Sequence, residues 1–267
     1  MIKNNYLVMF AIGHSARDTF HLLDDKNLLM ESKPFAVGVR VMHYQKMIDK
    51  EQYQNKIKKA PYKLTYQTKN HRGVYSFCMC PGGYVINNSL VVNGMSNYLR
   101  DSNTANSAIV VTVSKKDYGE GLFAGVKYQQ ELEKKAYLKG NGKIPVEYYQ
   151  DFLNKKITKK ETDFAILGAY TFTDLNDILP VTISDSIKEA MIEFNKKIKN
   201  FSDSNPLLAG VETRTSSPIK IIRDEKLESN IKGIYPCGEG SGYAGGITSS
   251  AIDGIKVAEE IIKKYYY

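Results

Sequence analysis

The chain opens on a continuous apolar run, Tyr6 to Ile12, that stops at Gly13. An unbroken run of this kind predicts a strand buried on both faces, the pattern of a parallel sheet. Ser15 follows as a helix N-cap, with Asp18 three residues on in a capping-box position. Ala16, Phe20 and Leu23 then form the apolar stripe of a short helix ending near Asp24 and Asp25. The opening grammar is strand, glycine, helix.

The middle of the chain follows a different pattern. Segments 35–43, 62–68, 73–80, 84–92 and 107–113 predict strands, with turn signals at Pro81-Gly82-Gly83, Asn87-Asn88 and Asn93-Gly94. The region is expected to be antiparallel and β-heavy. Residues 121–139 predict a helix with Leu122, Val126, Gln129, Gln130, Leu132 and Ala136 on one side. A second helix is expected over 186–200. There Ser186 and Glu189 make a capping box, and Ile187, Ala190, Met191, Phe194 and Ile198 make the apolar stripe. Pro180 limits the short element before it.

The end returns to the opening grammar. Segments 218–224 and 232–237 predict strands, and a glycine loop over 238–246 leads into a helix from 247 to 263. Ile247, Ala251, Gly254, Ile255, Ala258 and Ile262 line one face of that helix, opposite Lys256, Glu259, Glu260 and Lys263. No internal repeat or low-complexity linker interrupts the chain. The expected organisation is nested: segments 1–32 and 213–267 form an α/β part, and 33–212 form a β-rich domain between them.

Composition narrows the class. The 267 residues allow one large domain or roughly two. With 42% hydrophobic and 25% charged residues, the chain is neither disordered nor collagen-like. No apolar run approaches the ~18 residues of a membrane span. The start carries one lysine and no small-residue cleavage site, so no signal peptide is expected and the cytoplasm is the default location. Cys78, Cys80 and Cys237 are an odd set and not a disulfide framework. His14, His21, His43 and His71 are too scattered to predict a metal site. The net charge of +8 comes from lysines spread in runs such as 56–59, 154–160 and 195–200, which read as solvated faces. Despite 19 tyrosines, no nucleic-acid module is present, so no nucleic-acid partner is expected. The charge is compatible with an acidic partner surface.

The glycine loop is the most informative motif, with five glycines among residues 238–246. A helix N-terminus offers unpaired amides and the positive end of the helix dipole to phosphate or sugar-alcohol oxygens. Glycines let a ligand approach the backbone. Gly240-Ser241-Gly242-Tyr243-Ala244-Gly245 matches G-x-G-x-x-G letter for letter. A dinucleotide fingerprint, however, needs a second strand about 20 residues later that ends in an acid. Here the helix continues through Glu259 and Glu260 toward Tyr267. The plain alternative is a tight turn with no ligand.

Another pattern fits better. The strand ending in Gly238-Glu239 resembles the apolar-apolar-Gly-acid strand end of two-dinucleotide-binding-domain flavoproteins. Ala11-Ile12-Gly13 resembles the Ala-Thr-Gly strand end that precedes their inserted domain. Segments 11–20, 73–85, 210–224 and 233–255 together are similar to a bacterial family of uncharacterised FAD-dependent dehydrogenases. The likeness covers nearly the whole chain but only the C-terminal portion of the family.

The resemblance implies a mixed fold, α/β and β-rich (α+β). A partial FAD-binding α/β domain would be interrupted by an inserted antiparallel β-rich substrate domain with helices. It implies the C-terminal portion of an FAD-dependent oxidoreductase acting on a small-molecule substrate. The FAD site would be incomplete in this chain, with NAD(P)H as a candidate electron donor and no membrane involvement. An N-terminal FAD-binding subunit or domain, carrying the fingerprint absent here, is the implied partner. Gly238, Glu239 and Gly240 would serve the ribityl and pyrophosphate region. Gly245, Gly246 and Ile247 would bring backbone donors to the pyrimidine end of the flavin, and Gly13 and His14 would approach from the neighbouring strand. His14 also reads as an ordinary loop imidazole.

Two further candidates come from residue chemistry. Arg214 offers a fixed fork of donors as an anion clamp, with a salt bridge to Glu212 or Asp224 as the alternative. Cys78 and Cys80, expected on one strand face, are candidates for a redox relay, with burial as small apolar groups as the alternative. Cys237 reads as packing. Two other functional classes stay open: a non-catalytic binding or assembly module that binds no flavin on its own, and an NAD-binding dehydrogenase.

Overall fold

The computed structural model describes residues 7–88 and 90–265 of a mixed α/β protein, so Tyr6, Ser89 and the last two residues lie outside the described residues. In chain order its elements begin with β1 (Val8–Phe10), α1 (Arg17–Asp25), β2 (Met30–Ser32), β3 (Phe35–Tyr44), α2 (Gln45–Tyr53), β4 (Thr65–Gln67) and β5 (Gly73–Cys80). They continue with β6 (Tyr84–Asn88), β7 (Val91–Met95), β8 (Thr104–Val113), α3 (Lys115–Tyr118), α4 (Ala124–Lys139), β9 (Ile144–Tyr148) and α5 (Tyr149–Asn154). The chain ends with β10 (Ile166–Leu167), β11 (Tyr170–Phe172), α6 (Val181–Lys197), β12 (Leu207–Glu212), β13 (Ile219–Ile221), β14 (Ile234–Pro236) and α7 (Ile247–Tyr265). The residues form two compact units: one of 36–112 and 130–213, the other of the residues up to Phe35, 113–129 and those from Arg214 on.

The larger unit is built on a seven-stranded sheet of order β11-β9-β12-β3-β8-β5-β4. Its pairs β9–β12, β12–β3, β8–β5 and β5–β4 are antiparallel, while β11 runs parallel to β9. The central strands β3 and β8 are buried almost from end to end. Met42, Val85, Val92, Ile144, Val146, Leu207 and Ala209 pack as one cluster, and Ala36, Ala108 and Val110 as another. Arg40 lies fully buried within this sheet, its guanidinium on Glu212 (2.9 Å), Asn106 (2.7 Å) and the Cys78 carbonyl (3.1 Å). A charge is tolerated there because it is paired and hydrogen-bonded.

Helix α6 begins at Val181, immediately after Pro180, five residues before the expected start. The Ser186/Glu189 pair is not its cap. Ser186 Oγ donates to the Thr182 carbonyl one turn back (2.6 Å), and Glu189 accepts from Tyr66 Oη (2.8 Å) and the Lys69 amide (2.9 Å). The expected stripe, Ile187, Ala190, Met191 and Phe194, is buried.

In the smaller unit, β1 and β14 form a two-stranded parallel sheet with Val8 opposite Ile234, Met9 opposite Tyr235 and Phe10 opposite Pro236. β13 pairs antiparallel with β2. One face of the parallel pair packs into a core of Phe20, Leu23, Leu28, Val126, Ile219, Ile221 and Ile234, with Phe10 and Ile12 at its edge. Each such side chain contributes roughly 1.5–3 kcal/mol when fully buried. On the other face, Tyr235 and Cys237 pack on Val257 of α7.

Three expectations are corrected in this unit. β1 is not buried on both faces: Leu7 and Met9 are each 43% exposed, because on the face that Met9 shares with Tyr235 the helix α7 packs on Tyr235 and leaves them uncovered. Ser15 does not cap α1. Its carbonyl accepts from Arg17 N (2.9 Å) in a turn, the N-cap position falls to Ala16, and no side chain caps the helix. The apolar stripe of α7 does not face the core. Asp253 and Val257 are the buried residues of this helix, whereas Ile247, Ile255 and Ile262 are exposed.

Candidate functional site

The glycine loop leaves β14 at the level where β1 ends, and Cys237 N donates to the Phe10 carbonyl (2.9 Å). The next amide, Gly238 N, donates to Asp253 Oδ2 on α7 (2.8 Å), and Gly238 has a positive φ of 77°. Asp253 also receives both Arg223 Nη1 (3.0 Å) and Nη2 (2.6 Å). The same guanidinium reaches the Pro236 carbonyl (3.0 Å) and lies 3.6 Å from the centre of the Tyr243 ring. Tyr243 Oη in turn donates to the Ile221 carbonyl (2.9 Å). Burial pushes the Asp253 carboxyl up, but the Arg223 fork and the Gly238 amide outweigh it and hold it below the usual carboxylate range. The loop is therefore held at Gly238 by Asp253 of α7 and at Tyr243 by Arg223 and the Ile221 carbonyl.

Its middle touches the turn after β1. A Cβ placed on Gly240 would stand 2.1 Å from the Gly13 carbonyl oxygen, so glycine alone fits there. Ser217 Oγ contacts the Gly240 carbonyl oxygen (3.1 Å) and Ser241 Oγ donates to the Phe10 carbonyl (3.3 Å), and both serines are buried. Beside this contact, His14 Nδ1 and Glu239 Oε1 lie 3.5 Å apart, with side chains 27% and 22% exposed. Arg214 Nη1 reaches Ser15 Oγ at 3.4 Å. Gly245 and Gly246 face open space: a Cβ on either would meet nothing within 4 Å. Ile247, the first residue of α7, is 93% exposed. The Gly245 amide, expected as a donor to a ligand, instead donates to Ser249 Oγ (3.3 Å), and the Ser250 amide donates to the Gly246 carbonyl (2.9 Å). The donors that this end of α7 presents are therefore the amides of residues 247–249, which as the first of a helix lack intrahelical acceptors.

The structure thus brings Gly13, His14, Glu239 and Gly240 together, with Gly238 immediately behind and Gly245, Gly246 and Ile247 along the same loop. Arg214 joins them through Ser15, while the Glu212 carboxylate is engaged by Arg40. Cys78 and Cys80 belong to the larger unit. They do not share a strand face: a bulge between Phe77 and Cys80, with Cys78 at φ 46°, leaves Cys78 exposed and Cys80 buried. Hydrogen bonding to Cys78 and burial push the Cys80 thiol far up, so it stays protonated. Cys237 is buried, and its thiol is likewise pushed up by burial.

Three residues at this site carry no sequence signal. Lys33 sits half-buried. Burial lowers its ammonium pKa, the Glu239 carboxylate pulls it back up, and Lys220 adds to the lowering. Arg223 and Asp253 are 30 positions apart in the chain and meet only through the fold. A separate cavity of about 880 Å³ lies in the larger unit, lined among others by Tyr44, Lys46, Lys50, Lys58 and Asp101, and none of the sequence-predicted site residues lines it.

Two comparisons bear on this geometry. The family model described as FAD-dependent protein, C-terminal domain-like, matches residues 34–215. An uncharacterized protein of Clostridium beijerinckii is 46% identical over 275 residues, which cover 97% of this chain and 52% of that protein. The chain thus spans about half the length of the curated relative it matches, and the family match leaves the glycine loop outside its limits. Among the described residues, no helix is long and apolar enough to cross a membrane.

Proposed function

The chain belongs to the FAD-dependent protein, C-terminal domain-like family, and from that membership we propose that it is the C-terminal portion of an FAD-dependent oxidoreductase. In this reading the terminal segments 1–32 and 213–267 are part of the FAD-binding domain, and 33–212 are an inserted substrate domain. The observation that carries it is the meeting of Gly13 and Gly240 at the ends of two parallel strands, with the His14–Glu239 pair beside them and the open N-terminus of α7 alongside. The donor set fits a flavin. Glu239 offers a partly exposed carboxylate to ribityl hydroxyls, and the first amides of α7 offer donors to a carbonyl edge or phosphate. Gly245 and Gly246 leave the backbone open to close approach. When bound, the flavin supplies hydride chemistry. This chain's residues hold and orient it.

In this reading the described residues offer no cradle for the adenosine half of FAD, so the chain alone binds free FAD weakly. A second polypeptide segment completes the site, and the substrate is a small molecule. The test is a flavin titration of this chain with and without such a segment, followed by absorbance and fluorescence quenching. Flavin retention that rises only with the segment, and that falls when Glu239→Ala is introduced, supports the reading. Retention unaffected by Glu239→Ala removes the ribityl contact. Tight one-to-one FAD binding by the chain alone removes the shared site.

A further inference from the structure

We propose that the exposed apolar stripe of α7 and the neighbouring open face of β1 dock a companion segment, namely the one corresponding to the unmatched half of the Clostridium beijerinckii relative. This names the partner within the reading above and rests on it for family membership alone. The helix itself poses the problem. Ile247, Ala251, Ile255, Ala258 and Ile262 recur at three- and four-residue steps, so they form one continuous stripe. An amphipathic helix buries such a stripe, yet here α7 seats itself through Asp253 and Val257. Ile247, Ile255 and Ile262 are 93%, 60% and 45% exposed, and Ala251 is exposed beside them.

The sheet beneath shows the same deficit on the same side. Met9 is paired with Tyr235, so both side chains share the face that carries α7. α7 covers Tyr235 and leaves Met9, with Leu7, 43% exposed. Parallel strands are normally buried on both faces and flanked by further strands. The outer side of β14 is occupied, since Ser229 N donates to the Ile234 carbonyl and Arg223 to the Pro236 carbonyl. Among the described residues no strand lies on the outer side of β1. A strand added there, with apolar residues laid over Met9 and the α7 stripe, removes both deficits at once.

The occupant follows from the comparison of lengths. The relative matches this chain along 97% of its residues, and about as much polypeptide again lies outside the match. A second copy of this chain would bring another incomplete two-stranded sheet.

Two measurements decide. Hydrogen exchange is compared between this chain and the intact Clostridium relative. The segments matching β1 and α7 should exchange at least about tenfold more slowly in the intact relative, and equal rates overturn the proposal. Co-expression of this chain with the unmatched half should give a one-to-one complex by light scattering. Ile255→Asp with Ile262→Asp should weaken it at least about tenfold, while Ile192→Asp, at a 53% exposed position on α6, should leave it intact. The exposed positions let the variants fold, which circular dichroism verifies. Pairing of this chain with itself through α7, or a complex indifferent to the α7 substitutions, overturns the proposal. Flavin is scored separately: a colourless complex that needs α7 sustains the docking surface and sinks the flavin reading, and flavin held without any complex overturns the docking surface and the shared site while keeping flavin binding by this chain.

Discussion

Gly240 rests against Gly13 backbone to backbone, close enough that a single methyl group on Gly240 would stand 2.1 Å from the Gly13 carbonyl oxygen. Neither partner can yield, because both contacts are main chain and Ser217 and Ser241 anchor the loop around them. Gly240→Ala should therefore destabilise the protein by about 3 kcal/mol, at the upper end of what one overpacked methyl costs. Gly245→Ala, into open space, should change stability by less than about 1 kcal/mol. Chemical denaturation of the two variants checks the contrast. Equal effects would show that the loop moves apart freely.

The Arg223–Asp253 fork gives a second prediction. Its side chains are 8% and 9% exposed, and Asp253 also holds the Gly238 amide. Asp253→Asn leaves a buried guanidinium without its counter-charge and should cost about 3 kcal/mol. The pH dependence has a definite sign. The folded carboxyl titrates below its ordinary value, so its stabilisation is present above that ordinary value and is lost as pH falls through the folded one. The variant should lack this acid-side loss. Melting temperatures measured from pH 6 down to pH 2 compare the two proteins, and an unchanged acid limb would remove Asp253 as its source.

Thiol reactivity gives a third. Cys78 is exposed, while Cys80 and Cys237 are buried and hold their protons. In the native state a disulfide reagent should label one thiol quickly, and Cys78→Ser should abolish that phase. Cys80 and Cys237 should react only on unfolding. Two fast thiols would mean that the bulge opens in solution.

The unequal legibility of these features has physical causes. β1, the glycine loop and α7 are readable because an apolar run, a glycine cluster and a helical period are local patterns. The family resemblance sets Gly13 on the strand neighbouring the glycine loop, but its backbone contact with Gly240 is seen only in the fold. α6 misleads because Ser186-x-x-Glu189 spells a cap, yet in mid-helix Ser186 bonds one turn back and Glu189 serves Tyr66 and Lys69. Cys78 and Cys80 mislead because strict alternation fails at a bulge, which no residue there announces. The α7 stripe is legible as a pattern, but periodicity says that a face needs covering and not what covers it. Lys33, Arg223 and Asp253 have no local signature, because their roles arise from residues far along the chain.

Glu147 on β9 supplies the last prediction. The residue is 1% exposed, Oε2 accepts from Leu175 N at 2.9 Å, and Oε1 is a buried atom with no hydrogen-bond partner among the described residues. Burial pushes the carboxyl up to about 8, against the opposing pull of the Leu175 amide, with Asp174 and Asp151 adding to the rise. The folded protein thus keeps this proton at neutral pH while the unfolded chain releases it. The contribution is full below the ordinary carboxylate range and declines as pH rises toward about 8, the reverse of the Asp253 case. Glu147→Gln keeps an acceptor for Leu175 and has no proton to lose. It should be nearly neutral at pH 5 and more stable than the wild type at pH 8 by at least about 1 kcal/mol. Urea unfolding at the two pH values measures the difference, and a gain from Glu147→Gln that is equal at both would show that Glu147 does not titrate between them.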